Sequence, residues 1–479
     1  MLLNAWERLS WGSSTRGRRI ARFLVASLLV ASFVLLWFNI DESRVLYELN
    51  EYSQPPPLSH QERCRLDDKT IEHYKLSKPV HYLRREVIAR QSGSRPHTPE
   101  RLDIPLFDVR KLNTTDSETG QQVPDACSDP IAVTVPIPPK RADASHIIFG
   151  VATTYDRLNE SLDGFAHWAG HSNAHIYALI EPHGKLGKLR SKAESLGIVL
   201  DIQESDLEYN MRYFSLLQLL HDHLEEGTQW GCVIDDDTFF LSMPRLVERL
   251  RSYDATKPYY VGGLSESQPQ IGAFGVMGFG GAGVFLSRPL LTELSRVCDI
   301  CQEMEGTGDR KIARCIYQYT DTKLTVDPGL RQLDLMGDAS GFFEAGRPQP
   351  LSVHHWKSWY HADMAKLSAA SAVCGDSCLL QQWRFKDDWI LTNGFSVIRY
   401  SEPRPDGDFS MERTWEEHNG AVQDSFLHAL GPLRPKDDGK FSYQLEDAIV
   451  EDGGQVRQLY VHRGLPEGDL VLELVWRSE

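Results

Sequence analysis

The chain predicts an α/β protein: a mixed, mostly parallel sheet with helices on both faces. Three observations predict it. From His146 onward, short apolar runs alternate with stretches of helical periodicity. One of those runs, WGCVI, ends directly in Asp235-Asp236-Asp237. Far ahead of them, residues 23–40 read FLVASLLVASFVLLWFNI without a charge, which adds an N-terminal membrane helix to the plan. The 479 residues suffice for two domains and a tail and for a sizeable core. With 41% hydrophobic and 25% charged residues, collagen-like, wholly disordered and small disulfide-scaffold classes are excluded. Lys+Arg at 51 against Asp+Glu at 67 leaves a net charge of −16. That argues against a nucleic-acid partner, which needs a basic face to displace counterions.

Taken in order, residues 1–22 form a short cytoplasmic tail and 23–40 a transmembrane anchor. Arg8, Arg16, Arg18, Arg19 and Arg22 precede the apolar run, and Asp41 and Glu42 follow it. The positive-inside rule then keeps the tail in the cytoplasm and sends the remainder across, as in a single-pass type II membrane protein. The alternative, a cleaved signal peptide, wants a shorter run and a small-residue cleavage site. Residues 41–141 are polar and punctuated by Pro55-Pro56-Pro57, Pro136 and Pro138-Pro139. They read as a stem that spaces a folded domain from the membrane. Asn113-Thr114-Thr115 and Asn159-Glu160-Ser161 are glycosylation sequons. Cys298, Cys301 and Cys315 cluster, as do Cys374 and Cys378; in an oxidising lumen these read as disulfides, with pairing left open. Cys232, inside an apolar run, reads as a buried free thiol.

Residues 142–400 read as the main α/β domain. HIIFGVAT, His175–Ile180 and Gly197–Ile202 read as strands, separated by helices over 157–169 and 186–196. A third helix, Arg212 to Glu226, precedes WGCVI. In such sheets ligands bind beyond the carboxyl ends of the strands. Residues 401–479 carry alternating runs, FSYQLEDAIV, QVRQLYVHR and LVLELVWRS, which read as a small β-rich appendage.

The Asp triplet stands at one of those carboxyl ends. Successive strand residues face opposite sides, so Asp235 and Asp237 share a side and Asp236 faces away. Three adjacent carboxylates repel one another unless a cation neutralises them, and hard oxygen ligands suit Mn²⁺ or Mg²⁺. The competing reading is a capping cluster ahead of a helix near Met243.

VIDDDTFF, followed by GFGGAGVFLSR, resembles the DxD and GGAG pair of Fringe-like glycosyltransferases, the family 31 type with a GT-A fold. The resemblance covers roughly His146 to Trp359 and extends through Asp387–Val397. It implies inverting transfer of a hexose or N-acetylhexosamine from a UDP-sugar to a glycan, glycoprotein or glycolipid acceptor, plausibly in β-1,3 linkage, by a Golgi enzyme. On that resemblance Asp235 and Asp237 bind the metal, Asp235 also facing the ribose, and Asp236 assists at the sugar or metal. The further metal ligand falls on His355, with His354 the alternative. Gly281 and Gly283 of the GGAG loop lie near the donor sugar and acceptor. Asp309 is the general base that takes the acceptor hydroxyl proton, or else a helix cap. Thr153, Thr154, Arg157, Asp201 and Arg212 line the nucleotide pocket. Trp356, Trp359 and Phe342-Phe343 are candidates for an acceptor wall and equally for core packing. A nucleotidyl- or phosphotransferase would want a Gly-rich phosphate loop with Lys, and no such motif is present. A catalytically inactive Fringe-like binding protein or chaperone is the remaining alternative.

Overall fold

The computed structural model describes residues 66, 68–96, 98–107, 113–115, 127–451 and 453–479. These fall in one compact unit made of residues 63–107 and 113–479. The expected tail and anchor, 1–22 and 23–40, lie outside the described residues. Among the described residues, no helix is long and apolar enough to cross a membrane.

The expected alternation of strands and helices is present. Strands β1 (Ile147–Thr153), β2 (His175–Ile180), β3 (Val199–Glu204) and β4 (Trp230–Ile234) run parallel to one another. β5 (Tyr260–Gly262), β6 (Val284–Ser287) and β7 (Leu324–Val326) complete the sheet among the described residues, in the order 3-2-1-4-6-5-7. β6 runs antiparallel between β4 and β5. β1 and β4 are buried along their whole length, which is why they read as unbroken apolar runs rather than as alternation. Helices α1 (Tyr155–Trp168), α2 (Gly187–Ser195) and α3 (Tyr209–Asp222) make the connections. α1 starts where it does because Thr154 caps it, the hydroxyl accepting from Arg157 N. Leu158, Leu162 and Phe165 then pack against one side of the sheet with Phe149 and Trp168, while α3 puts Leu216, Leu217 and Leu220 on the other.

The region expected to be a stem is different. Val80–Gln91, Glu100–Pro105, Asn113–Thr115 and Cys127–Val135 are strands of a second sheet. Their partners come from the C-terminal third: Gln382–Lys386, Ile390–Thr392, Ser396–Arg399, Phe441–Val450, Val456–His462 and Leu470–Ser478. Val80–Gln91 pairs in parallel with Leu470–Ser478, from His81 opposite Leu470 to Ala89 opposite Ser478. Thus the C-terminal runs are strands as expected, but they are three members of a ten-stranded sheet among the described residues rather than an appendage. Residues 387–397 also belong to this sheet and not to the β1–β7 sheet. Pairing across such sequence distances leaves no local signal, and Pro136 and Pro138-Pro139 lie just past the strand Cys127–Val135, not within it. The helix Met364–Ala369 touches both α1 and Phe441–Val450, so the two layers share a core.

Among the described residues, disulfides join Cys301 to Cys315 and Cys374 to Cys378, while Cys232 and Cys298 are free and buried.

Candidate active site

The sheet order reverses between β1 and β4, and at such a switch point the carboxyl ends of two strands open a crevice. Val151 lies opposite Ile234, so Thr153 and the Asp triplet emerge side by side. The triplet divides as strand alternation demands. Asp236 is buried and turned toward β1: Arg157 Nε donates to its Oδ2 at 2.6 Å, Arg157 Nη2 to its Oδ1 at 2.5 Å, and the Thr153 hydroxyl also donates to it. Asp235 and Asp237 converge instead on His354, whose Nε2 lies 3.3 Å from Asp235 Oδ2 and 2.9 Å from Asp237 Oδ1.

His354 arrives on a short strand. Ser352–Val353 pairs antiparallel with Phe239–Phe240, which carries the histidine pair back alongside the triplet. His355 sits at φ +62°, and this turn directs its Nε2 to 3.1 Å from Asp334 Oδ1 while its ring stacks 4.3 Å from Trp359. Asp237, His354 and His355 each offer a donor atom within 4.8 Å of the others. Burial alone would lower the His354 pKa, yet Asp237 and Asp235 hold it well above the usual histidine value. Burial and the charge of His354 push His355 down. Asp237 answers in kind: burial opposes ionisation, but His354 holds its carboxyl well below the ordinary range. Two carboxylates and one imidazolium packed this closely make a set whose charge a divalent cation, on losing the imidazole proton, would balance.

The GGAG loop owes its composition to these neighbours. Only Gly283 of the four residues has a left-handed backbone, at φ +89°. At Gly281 the constraint is space, since a Cβ there would fall 2.1 Å from His354 Nδ1. At Gly280 a Cβ would fall on the Tyr213 hydroxyl. The glycines therefore let a buried tyrosine and a buried histidine reach the loop, where sequence reasoning expected room for a ligand.

Helix α4 (Gly308–Tyr319) brings Asp309 to the opposite wall. Gly308 lets it lie close on α3, because a Cβ there would meet Tyr213 at 2.4 Å. The cap is Thr307, so Asp309 is not the capping residue. Its Oδ2 accepts from Gly280 N at 3.2 Å and its Oδ1 from Arg310 N at 2.7 Å. Burial, with the charge of Asp235 behind it, raises its pKa despite these bonds.

The remaining expected residues separate. Arg212 is buried and donates to Thr153 O at 3.2 Å and Glu181 Oε2 at 3.1 Å. The Thr154 hydroxyl is spent on the α1 cap. Asp201 does not join the group: it lies opposite Tyr177, short of the carboxyl end of β3, and pairs with His175 at 2.7 Å. Glu181, immediately after β2, stands where Asp201 was expected to act, and also accepts from Tyr155 N. The strand-end rule that singled out the triplet also points to Glu181. Lys357 was missed as well. Its Nζ lies over Trp356 at 4.7 Å, and burial lowers its pKa against the pull of Asp236 and Asp237. Trp356 is buried and serves the core, whereas Trp359 is half-buried against His355.

Two levels of similarity bear on this site. A family model described as "Protein of unknown function, DUF604" matches residues 271–371, which run from ahead of the GGAG loop to beyond the histidine pair. More particularly, chondroitin sulfate synthase 3 of Mus musculus and of Homo sapiens are each 28% identical to this chain over 198 residues. The match takes in 39% of this chain and 20% of each synthase, so the chain spans about a fifth of the length of those curated relatives. Among solved structures, a Streptococcus pneumoniae glycosyltransferase is similar at 13% identity and TM-score 0.29, over 46% of this chain and 58% of that one. Mouse xyloside xylosyltransferase 1 is similar at 10% identity and TM-score 0.28, over 43% of this chain and 96% of that one. Such distant likeness leaves the fold to be read from the strand order itself.

Proposed function

We propose that this protein is a metal-dependent, Fringe-like inverting glycosyltransferase that moves a hexose or N-acetylhexosamine from a UDP-sugar to a glycan acceptor. One observation carries the reading: Asp235, Asp237 and the two histidines meet at the β1/β4 switch point, with Asp309 facing them across the GGAG loop. Similarity to the chondroitin sulfate synthases supports the same class, as does the resemblance of the DDD and GGAG motifs. Asp237, His354 and His355 would hold the cation, with Asp235 beside them. The mixture of imidazole and carboxylate favours Mn²⁺ over Mg²⁺, which prefers oxygen ligands. A cation bound there supplies charge to neutralise a departing diphosphate.

The protein's own groups do the rest. Gly280 N and Arg310 N fix the Asp309 carboxylate, and burial makes it a stronger base than a solvated aspartate. It takes the proton from the acceptor hydroxyl as that oxygen bonds to the anomeric carbon. The bond from that carbon to the diphosphate oxygen breaks on the opposite face, so UDP leaves with the electron pair and the configuration inverts. Arg157 and Thr153 hold Asp236 out of the reaction and so keep the two other carboxylates aligned. The β-1,3 linkage belongs to this proposal through the resemblance alone. So does the type II Golgi placement, which rests on residues 23–40, on Asn159 being exposed and on the disulfides.

The test is UDP release by the full-length protein over a panel of UDP-sugars and acceptors, with and without Mn²⁺. Turnover that needs Mn²⁺, vanishes in Asp237→Ala and is lost in Asp309→Asn with UDP binding retained is the expected result. A folded protein that binds no UDP in the presence of Mn²⁺ overturns the reading.

A further inference from the structure

Arg95, Arg245 and Arg347 line a cavity of about 360 Å³, in a chain whose net charge is −16. The cavity is not part of the candidate active site. Arg245 follows Phe239–Phe240 and Gln349 precedes Ser352–Val353. Because those strands pair antiparallel, both residues lie on the side that leads away from Asp237 and His354.

The three guanidiniums are held in place by neutral acceptors. Arg95 donates to the carbonyls of Ser377, Leu379 and Leu380. Arg245 donates to the Gln349 side chain and carbonyl, and Gln349 in turn donates to Leu379 O. Arg347 donates to the carbonyls of Phe409 and Pro432. Among the described residues, none of the three has a carboxylate within ion-pair distance. The adjoining cavity, about 270 Å³, makes the contrast. There Arg249 faces Asp327 at 3.6 Å and Arg331 faces Glu266 at 3.8 Å. Burial, with Arg245 next to it, brings Arg95 down to about 10, so it stays charged at neutral pH. Like charges fixed in one cavity without a counter-charge cost stability, and an oxyanion that accepts paired N–H bonds from guanidinium forks removes that cost.

The rest of the wall narrows the ligand. The volume exceeds that of a lone oxyanion and falls in the range of small-molecule sites. Ile137, 60% exposed, and Pro136, Pro139 and Pro348 offer an apolar face that suits the C–H side of a sugar ring. Ser94 and Ser377 bring hydroxyls to the same wall. We propose that this cavity is a second ligand site, which takes a phosphorylated or sulfated sugar.

The test is calorimetric titration of the full-length protein, in EDTA, with glucose 6-phosphate, glucose 6-sulfate and glucose. Saturable binding of at least one anion, with none of glucose, is expected, and the anion that binds identifies the source. Arg245→Gln should weaken it roughly tenfold or more, the effect of losing a charge-assisted contact. Ile137→Glu sets a carboxylate at the rim and leaves every arginine hydrogen bond in place. It should weaken binding by a similar factor even if Arg245→Gln fails to fold, while Asp237→Ala leaves binding unchanged. Failure of both anions to bind, equal binding of glucose, or indifference to Ile137→Glu overturns the proposal.

Discussion

Gly281→Ala is the sharpest probe of the metal site, because it adds one methyl and removes nothing. The new Cβ would sit 2.1 Å from His354 Nδ1, 2.2 Å from Cε1 and 2.4 Å from Cγ. Restoring an ordinary 3.4 Å contact requires a retreat of 1.3 Å. The ring has nowhere to go: His354 is 3% exposed, the His355 ring lies 3.8 Å behind it, and Tyr360 holds its carbonyl through a 2.5 Å hydrogen bond. Metal–ligand distances tolerate about 0.2 Å, so a shift of this size removes His354 from the set. Loss of even a supporting contact costs roughly 10- to 100-fold in metal affinity, and loss of a ligand costs at least that. The assay is Mn²⁺ binding followed by calorimetry, with Mn²⁺ activation of UDP release alongside. Gly280→Ala is the matched control: it drives a Cβ into the Tyr213 hydroxyl and not into His354. It should lower stability by about 1–3 kcal/mol, the usual cost of overpacking, and leave Mn²⁺ affinity near wild type. A folded Gly281→Ala protein that binds Mn²⁺ as tightly as wild type refutes His354 as a ligand. Equal loss of affinity in both variants refutes the geometric argument.

Four further outcomes are expected. Asp309→Asn should lower turnover by roughly 10²- to 10⁴-fold, the span of general-base effects, in an acceptor-dependent assay that leaves UDP binding intact. Arg157→Gln leaves buried Asp236 with Thr153 alone and should lower stability by about 1–2 kcal/mol in urea unfolding; the figure is set below the full buried-pair cost because Arg157 is 59% exposed. Glu266 is buried, and burial, opposed by Arg331 and helped by Asp334, raises its pKa from 4.5 to about 7. The unfolded chain therefore releases this proton first, and the native state is the more protonated between those values. This group's contribution to stability falls as pH rises through that window and levels off above it. Glu266→Gln should remove that slope, so its advantage over wild type grows by up to about 3 kcal/mol from pH 4.5 to 7 in paired unfolding curves. Finally, the Cys301–Cys315 bridge ties the helix Cys298–Gln302 to α4; replacing both cysteines by alanine should cost about 3 kcal/mol in thermal or urea unfolding.

Much of the β1–β7 sheet was legible because strands such as β1 and β4, buried on both faces, leave plain apolar runs, and because WGCVI ends in three adjacent acids whose mutual repulsion calls for cationic partners. The triplet's division was legible too, from strand alternation alone. The histidine register was not. Which of two adjacent imidazoles meets the triplet depends on the φ +62° turn at His355 and on a two-residue strand pairing, and neither has a sequence signature. Asp201 was misplaced because a strand's acid was credited to its carboxyl end when it lies mid-strand, beside His175. The second sheet was the largest gap. Its strands are individually readable at Phe441–Val450 and Leu470–Ser478, but their partner at Val80–Gln91 stands nearly the whole described chain away.

That parallel seam sets the order in which the molecule can be completed. His81 waits for Leu470, so every residue between them must be synthesised before the two can meet. Closing so long a loop costs roughly 5 kcal/mol of chain entropy by the logarithmic rule, and the nine-pair ladder returns nothing until both strands are present. The β1–β7 sheet, made of local strand–helix–strand steps, is free to form during synthesis. Meanwhile Val80–Gln91 presents an unpaired edge, open to pairing with another nascent chain. Removal of residues 470–478 would make that exposure permanent, and self-association of the truncated protein is the behaviour to look for.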